Sequence, residues 1–296
     1  MKDLPPQRPT PATPLTLDMI RAKWASMLAK GESVGTATHH ACYFALEHFL
    51  GLPWLKKHVL SECSTPGYLS HRPKMVDEFI GIDKDHTQRV VQLAEALLNL
   101  QAVEGLGDRL DRLYQGQIEP TMAELDFGMF MRVQGTDFRY VEASGVKTRD
   151  YDVELFYPDG IAACGDIKCK LDGSAFSKTG LLSTLTKGRQ QLPADRPGIL
   201  FVKVPQEWVD RSTGILGAEE DAAEALEEFF RSTQRVVLVA FYSKMTTELA
   251  GGTAISYMCR QFENKSVRFD RDGSWGLFDV DQQKPVWLNL SAALRM

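Results

Sequence analysis

Near Gly135 the spacing of apolar residues changes period, and this change restricts the fold more than any other feature of the chain. Before it, apolar residues recur at three and four positions, clearest in "HTQRVVQLAEALLNLQAVEGL", where Val90, Leu93, Leu97 and Leu100 share a helical face. From Leu17 to about Tyr114 the pattern predicts a helical domain, and "TMAELDFGMFMRVQG" predicts one more helix, closed by Gly135. After it come short β-branched or aromatic runs bounded by Gly, Pro or polar turns: "FRYVEA", "YDVELFY", "IAACGDIKCK", "PGILFVKVP", "RVVLVAFY" and "TAISYMCRQF". Between them "SKTGLLSTLTKGRQQL" and "GAEEDAAEALEEFFRS" read as helices. A helix, a set of strands, then alternating helix and strand predicts an α/β domain on a mixed sheet, joined to an N-terminal α-helical domain.

The domain limits follow from composition. Residues 1–18 hold five of the fourteen prolines and little that could pack, so they are expected to form an extended arm. Residues 19–118 form the expected helical domain and 119–296 the α/β domain, with the junction in "YQGQIEPT", where Gly116 and Pro120 stand between two periodic segments. No apolar run approaches the roughly 20 residues of a membrane helix, and the N-terminus lacks a secretory layout, so a cytoplasmic protein with no membrane partner is expected. Five scattered cysteines, Cys42, Cys63, Cys164, Cys169 and Cys259, argue for reduced thiols over a disulfide framework. All six histidines lie between His39 and His86, yet no CxxC or HxxxH spacing accompanies them, so ordinary surface and core positions are expected over a zinc site.

Charge narrows the function classes. Residues 1–118 carry 13 Lys and Arg against 13 Asp and Glu, so the whole formal net charge of −5 falls after residue 118. That argues against broad nonspecific coating of nucleic acid, but leaves room for a site where metal ions offset clustered carboxylates. The acidic run from Glu219 to Glu228 reads as a solvated helix face.

The cluster that carries chemistry is "DYDVELFYPDGIAACGDIKCK". Asp150, Asp152 and Glu154 alternate along one strand and therefore share a face. If the chain reverses at Asp159-Gly160, facing positions sum to about 318, which sets Asp152 opposite Asp166 and Asp150 opposite Lys168. Four acids and a lysine then share one side of a sheet. Two readings are open: a solvated face of a half-exposed sheet, or a divalent-metal site of the kind that holds Mg²⁺ through one or two carboxylates.

A strand aspartate, a turn, and then D/E-x-K resembles the active-site signature of the PD-(D/E)xK phosphodiesterase superfamily, the restriction-endonuclease-like fold. Asp152 and the "DIK" of Asp166-Ile167-Lys168 carry the resemblance, with Asp150 the competing first acid. It covers roughly residues 119–243, where helix, three strands, helix and strand follow in the family's order. The chain departs from the motif at Arg149 or Tyr151, where proline is usual, and at Asp166 in place of glutamate.

The resemblance implies a metal-dependent nuclease, with DNA as the expected partner. Asp152 and Asp166, with the Ile167 carbonyl, would hold Mg²⁺ or Mn²⁺, and Lys168 would orient the attacking water and stabilise charge on the phosphorane. It further implies that Glu124 of the preceding helix joins the catalytic set, and that Lys187, Arg189, Gln190 and Gln191 of the following helix approach substrate. From Lys168 to Arg189 the chain carries five basic residues and, outside the motif, one acid, Asp172. Two alternatives stand beside this reading: a degenerate nuclease fold acting as a nucleic-acid- or protein-binding module, and a helical domain that is itself the functional part. A homodimer is compatible with all three.

Overall fold

The computed structural model of the chain describes residues 8–61, 69, 74–76, 79–81, 84–146, 150–171, 173–210, 212–216, 220–249, 252–269, 271–278 and 287–296. Among the positions singled out above, the arm's first seven residues, Cys63, His71, Arg149, Asp172 and Glu219 lie outside these. The chain is a mixed α/β protein that divides into two compact units, one of 1–102, 106–125 and 287–296, the other of 103–105 and 126–286. No helix of the described residues is long and apolar enough to cross a membrane.

The first unit is built from α1 (Leu17–Leu28), α2 (Val34–Leu55), a short antiparallel pair β1 (Lys74–Val76) and β2 (Phe79–Gly81), α3 (Lys84–Leu100), α4 (Leu106–Tyr114) and the first turns of α5 (Ile118–Gln134). The side chains of Thr16 and Ser33 cap α1 and α2 by accepting the N–H groups of Met19 and Thr36. From Arg8 on, the arm is held rather than free: Arg8 pairs with Asp111 at 2.8 Å, and Leu15, 2% exposed, exchanges hydrogen bonds with the Gln101 side chain. The final short helix, α8 (Leu290–Ala293), also belongs to this unit, tied by the Glu95 carboxylate, which accepts the Leu290 N–H at 2.8 Å, and by Asn99. The division falls within α5 rather than at 118/119, because Pro120 sits in its first turn, where a missing N–H costs nothing and the helix runs on.

The second unit holds a six-stranded sheet. Its strands are β3 (Asp137–Tyr140), β4 (Val153–Phe156), β5 (Ala162–Cys169), β6 (Gly198–Lys203), β9 (Val236–Leu249) and β10 (Gly252–Glu263), in the spatial order β10-β9-β6-β5-β4-β3. A minor pair, β7 (Val209–Asp210) with β8 (Gly214–Ile215), stands apart. The β3-β4-β5 meander is antiparallel, β5-β6-β9 parallel, and β9-β10 antiparallel. Parallel neighbours need crossovers, supplied by α6 (Lys178–Gln191) between β5 and β6 and by α7 (Glu220–Arg231) between β6 and β9.

Every residue of β6 is buried, as expected for a central parallel strand covered on both faces. One face packs Cys164, Leu200, Val202, Val239 and Phe241 against Leu181 and Leu185 of α6 and Leu226 and Phe229 of α7. On the other, Phe201 stacks on Tyr242 with ring centroids 4.8 Å apart, and Phe127 and Phe130 of α5 meet Phe201 edge-on.

Candidate metal and phosphate site

The expected register is present from Val153 to Phe156, but the ladder stops there and pairs neither Asp152 with Asp166 nor Asp150 with Lys168. Val153 faces Gly165, Glu154 faces Cys164, Leu155 faces Ala163 and Phe156 faces Ala162, so each pair sums to 318. The reversal is also where the turn residues place it. Gly160, at φ 84°, donates its N–H to Tyr157, and the Asp159 side chain accepts the Ile161 N–H.

At Asp152 the ladder gives way. This residue, just before β4, donates its N–H to the Gly165 carbonyl at 2.9 Å, so Asp152 and Val153 both address Gly165 and the chain bends as at a β-bulge. The bend aims the Asp152 carboxylate at β5, where it accepts the Ile167 N–H at 2.7 Å. Because the N–H and C=O of one strand residue turn to the same side, the Ile167 carbonyl also faces the Asp152 side. Asp166 points to the face covered by α6. It is 1% exposed, and Lys168 Nζ lies 2.8 Å and 2.7 Å from its two carboxylate oxygens. The Lys168 side chain itself is 28% exposed, so the pair reaches from the interior to solvent.

Gly188 makes this packing possible. A Cβ there would fall 2.9 Å from Asp166 Oδ2 and 2.8 Å from Leu200 Cδ2, so only a bare backbone lets α6 lie this close over the acid. A glycine inside the amphipathic segment "TKGRQQ" was the available sequence signal for that close approach.

The other acids of the expected cluster are taken elsewhere. Asp150 accepts both the N–H and the hydroxyl of Ser144 at 2.7 Å each; that hydroxyl, with neighbouring main-chain N–H groups, holds its carboxyl below the ordinary range. Of the two candidate first acids, Asp152 is therefore the one whose carboxylate reaches β5. Glu154, 5% exposed, is gripped by Arg139 at 2.6 Å and by a close contact from Arg196, which also bonds the Tyr151 hydroxyl. Burial pushes the Glu154 carboxyl up, but the two guanidinium groups outweigh it and hold it below its ordinary value. With Asp166 and Glu154 buried, the hairpin is not the solvated face that was the other open reading.

Glu124 also departs from its expected role. Its oxygens lie 2.7 Å from Arg109, which is fully buried, and 3.0 Å from Arg112, and both arginines share Asp108 at 3.0 Å. The structure thus gives Glu124 two arginine partners inside the first unit, in a balanced ion-pair cluster. Arg189 donates to the carbonyl and hydroxyl of Ser232 at 2.9 Å and 2.8 Å, tying α6 to the end of α7. Lys187 and Gln190 are exposed and Gln191 is half-buried. Lys170, one turn of strand beyond Lys168, donates to the Gly180 carbonyl at 3.2 Å and lies 5.9 Å from the Trp208 ring centre; burial and then the charge of Lys187 lower its pKa.

The donors that remain for an ion are Asp152, on the Ile167 N–H, Asp166, on Lys168, and the Ile167 carbonyl. All are hard oxygen ligands, and two carboxylates suffice for Mg²⁺, which keeps several of its own waters. Among the described residues no three His, Cys, Asp or Glu side chains converge. Burial pushes the Cys42 thiol up, away from the thiolate that zinc requires. No protein-family model and no curated protein matches the chain. The site therefore stands on its own residues.

Proposed function

We propose that the second unit is a metal-dependent phosphodiesterase acting on nucleic acid, with DNA the first substrate to test. The observation that carries this reading is the corner made by the bend at Asp152: a carboxylate on the Ile167 N–H, a buried carboxylate on Lys168, and a bare glycine above them. The order of α5, the antiparallel meander, α6 and the parallel strand β6 supports a restriction-endonuclease-like core.

In this reading Asp152, Asp166 and the Ile167 carbonyl hold Mg²⁺ or Mn²⁺. When bound, the ion polarises the phosphate and lowers the pKa of a coordinated water. The chain's own residues do the rest. Lys168, anchored on Asp166 and partly open to solvent, orients the attacking water and stabilises charge that develops on the phosphate oxygens. Lys187, exposed beside Gly188, approaches a substrate phosphate. Glu124 and Asp150, each held by other partners, are given no part in the step.

A second reading, a degenerate fold that binds nucleic acid without cutting it, draws on the use of Asp152 for a main-chain N–H and on the two-carboxylate limit. One experiment separates them. Purified protein is incubated with Mg²⁺ or Mn²⁺ and single- and double-stranded DNA and RNA, while thermal stability is followed against metal. Cleavage together with a metal-dependent rise in Tm supports the phosphodiesterase; binding without either supports the degenerate module.

A further inference from the structure

Three arginines of the second unit gather where α6 ends and β9 begins. Arg235 donates to the main-chain carbonyl of Arg189 at 2.5 Å, and the main-chain N–H of Arg268 bonds the carbonyl of Gln234, the residue before Arg235, at 3.1 Å. Arg189 and Arg235 are half-buried and Arg268 is exposed. Other arginines of this unit meet acids: Arg139 and Arg196 hold Glu154, Arg231 holds Glu227, and Arg271 holds Asp159. Among the described residues, none of these three meets a carboxylate; their partners are main-chain carbonyls, the Ser232 hydroxyl and the faces of Phe229 and Phe269.

Three like charges in one place, two of them half-buried, oppose folding unless an anion joins them. Burial first, and then the charges of Arg189 and Arg268, lower the pKa of Arg235, which is the same repulsion seen from one member. A guanidinium group presents paired N–H donors that match two phosphate oxygens, and arginine more than lysine suits such bidentate binding.

We propose that Arg189, Arg235 and Arg268 form a phosphate-binding site for a nucleic-acid backbone, separate from the Asp152, Asp166 and Lys168 corner. Its place in the sheet suits that ligand. Gly198 pairs with Cys164, two residues before Asp166, and donates its N–H to the Arg235 carbonyl at 2.8 Å. The Arg235 main chain therefore sits about 7 Å along the strands and about 10 Å across them from Asp166, a span of a few nucleotides. The choice of nucleic acid rests on the phosphodiesterase reading; the anion site does not.

The test uses the full-length protein in EDTA, so that no metal-dependent step contributes, and a fluorescein-labelled DNA duplex followed by anisotropy from about 50 to 200 mM salt. Arg268→Ala should weaken binding severalfold at the lower salt and flatten the logarithmic salt dependence by about one unit, as loss of one phosphate contact requires. Arg268→Glu should weaken it further. Arg235→Gln should act similarly, but it also removes the bond to Arg189, so a melting curve must show that it is folded; Arg268, exposed and without a side-chain hydrogen bond, keeps the test decisive if it is not. Unchanged affinity and slope in folded Arg268→Ala and Arg268→Glu would overturn the proposal. Arginine-dependent binding in a protein that cuts nothing with Mg²⁺ or Mn²⁺ would uphold it and sink the phosphodiesterase instead. A thermal shift with inorganic pyrophosphate but no binding of DNA or RNA would overturn the nucleic-acid assignment.

Discussion

Glu154 and Asp166 stand on adjacent strands of one sheet, each nearly closed off from water, yet Glu154 is met by two guanidinium groups and Asp166 by one ammonium. Around Glu154 the charges balance, since Arg139 also meets Glu104 at 3.0 Å, and the two guanidinium groups offset the burial of the acid. Asp166 is met by the Lys168 ammonium, while Asp152, its neighbour across the hairpin, accepts the Ile167 N–H. A buried carboxylate is costly unless cations or hydrogen bonds offset it. Glu95, in the first unit, shows a third outcome: its carboxylate is held by the N–H groups of Leu290, Ser291 and Trp287, and burial raises its pKa to about 7. Equal burial thus has three consequences, set by what the neighbours supply.

The largest effect should come from the proposed metal site. Asp166→Asn should reduce Mg²⁺- or Mn²⁺-dependent cleavage to background and abolish the rise of Tm with metal, whereas Glu154→Gln should keep the metal response. If Glu154→Gln lost that response and Asp166→Asn kept it, the comparison would be inverted. Lys168→Ala should slow cleavage by roughly a hundredfold to ten-thousandfold, the range for a proton-transfer or charge-stabilising group, while the metal-induced Tm shift persists. Cleavage rates and melting curves on the same preparations check both.

Glu95 sharpens the contrast through pH. Because the carboxyl rises from 4.5 to about 7 on folding, the folded state binds its proton more tightly than the unfolded chain. Stability from this group is then fully present below about pH 4.5, declines as pH rises towards 7, and stays reduced above it. Glu95→Gln should remove that decline and stabilise the protein above pH 7 by at most about 3 kcal/mol. Urea unfolding at pH 5 and pH 8 measures it; an equal effect at both pH values would mean that Glu95 is charged throughout.

Glu154 should behave in the opposite sense, since its carboxyl is depressed. Its stabilisation is present above the unfolded carboxylate pKa near 4.3 and is lost as pH falls through the lower folded value. Glu154→Gln should cost about 2 kcal/mol near neutral pH, less than a fully buried pair, because the Arg139 side chain is 43% exposed and solvent screens it. A neutral result in urea unfolding would show that the arginines find other partners. The smallest change tests the approach of α6 to Asp166. Gly188→Ala gains about 1 kcal/mol of helix propensity but must open a contact of 2.8 Å with Leu200 and 2.9 Å with Asp166, for a net loss of about 1 kcal/mol and weaker metal binding. A Tm above wild type with unchanged metal affinity would show that the helix shifts freely.

Short β-branched and aromatic runs bounded by turn residues were enough to place the six main strands, with α6 and α7 between them, because such composition is local to each segment. Turn chemistry at Asp159-Gly160 fixed the hairpin, and counting from it placed every pair from Val153 to Phe156. What no local pattern carried was the charge balance. Arg196 reaches Glu154 from 42 positions away, Arg109 reaches Glu124 from an earlier helix, and Ser144 draws Asp150 into a loop. The return of residues 287–296 to the first unit and the continuation of α5 past Pro120 were hidden for the same reason. Sequence alone determined which residues were acidic and that Asp152 and Asp166 lay near one hairpin. Which cations and donors each of them met was decided only when packing brought remote side chains together, because electrostatic compensation depends on every neighbour in space and not on neighbours along the chain.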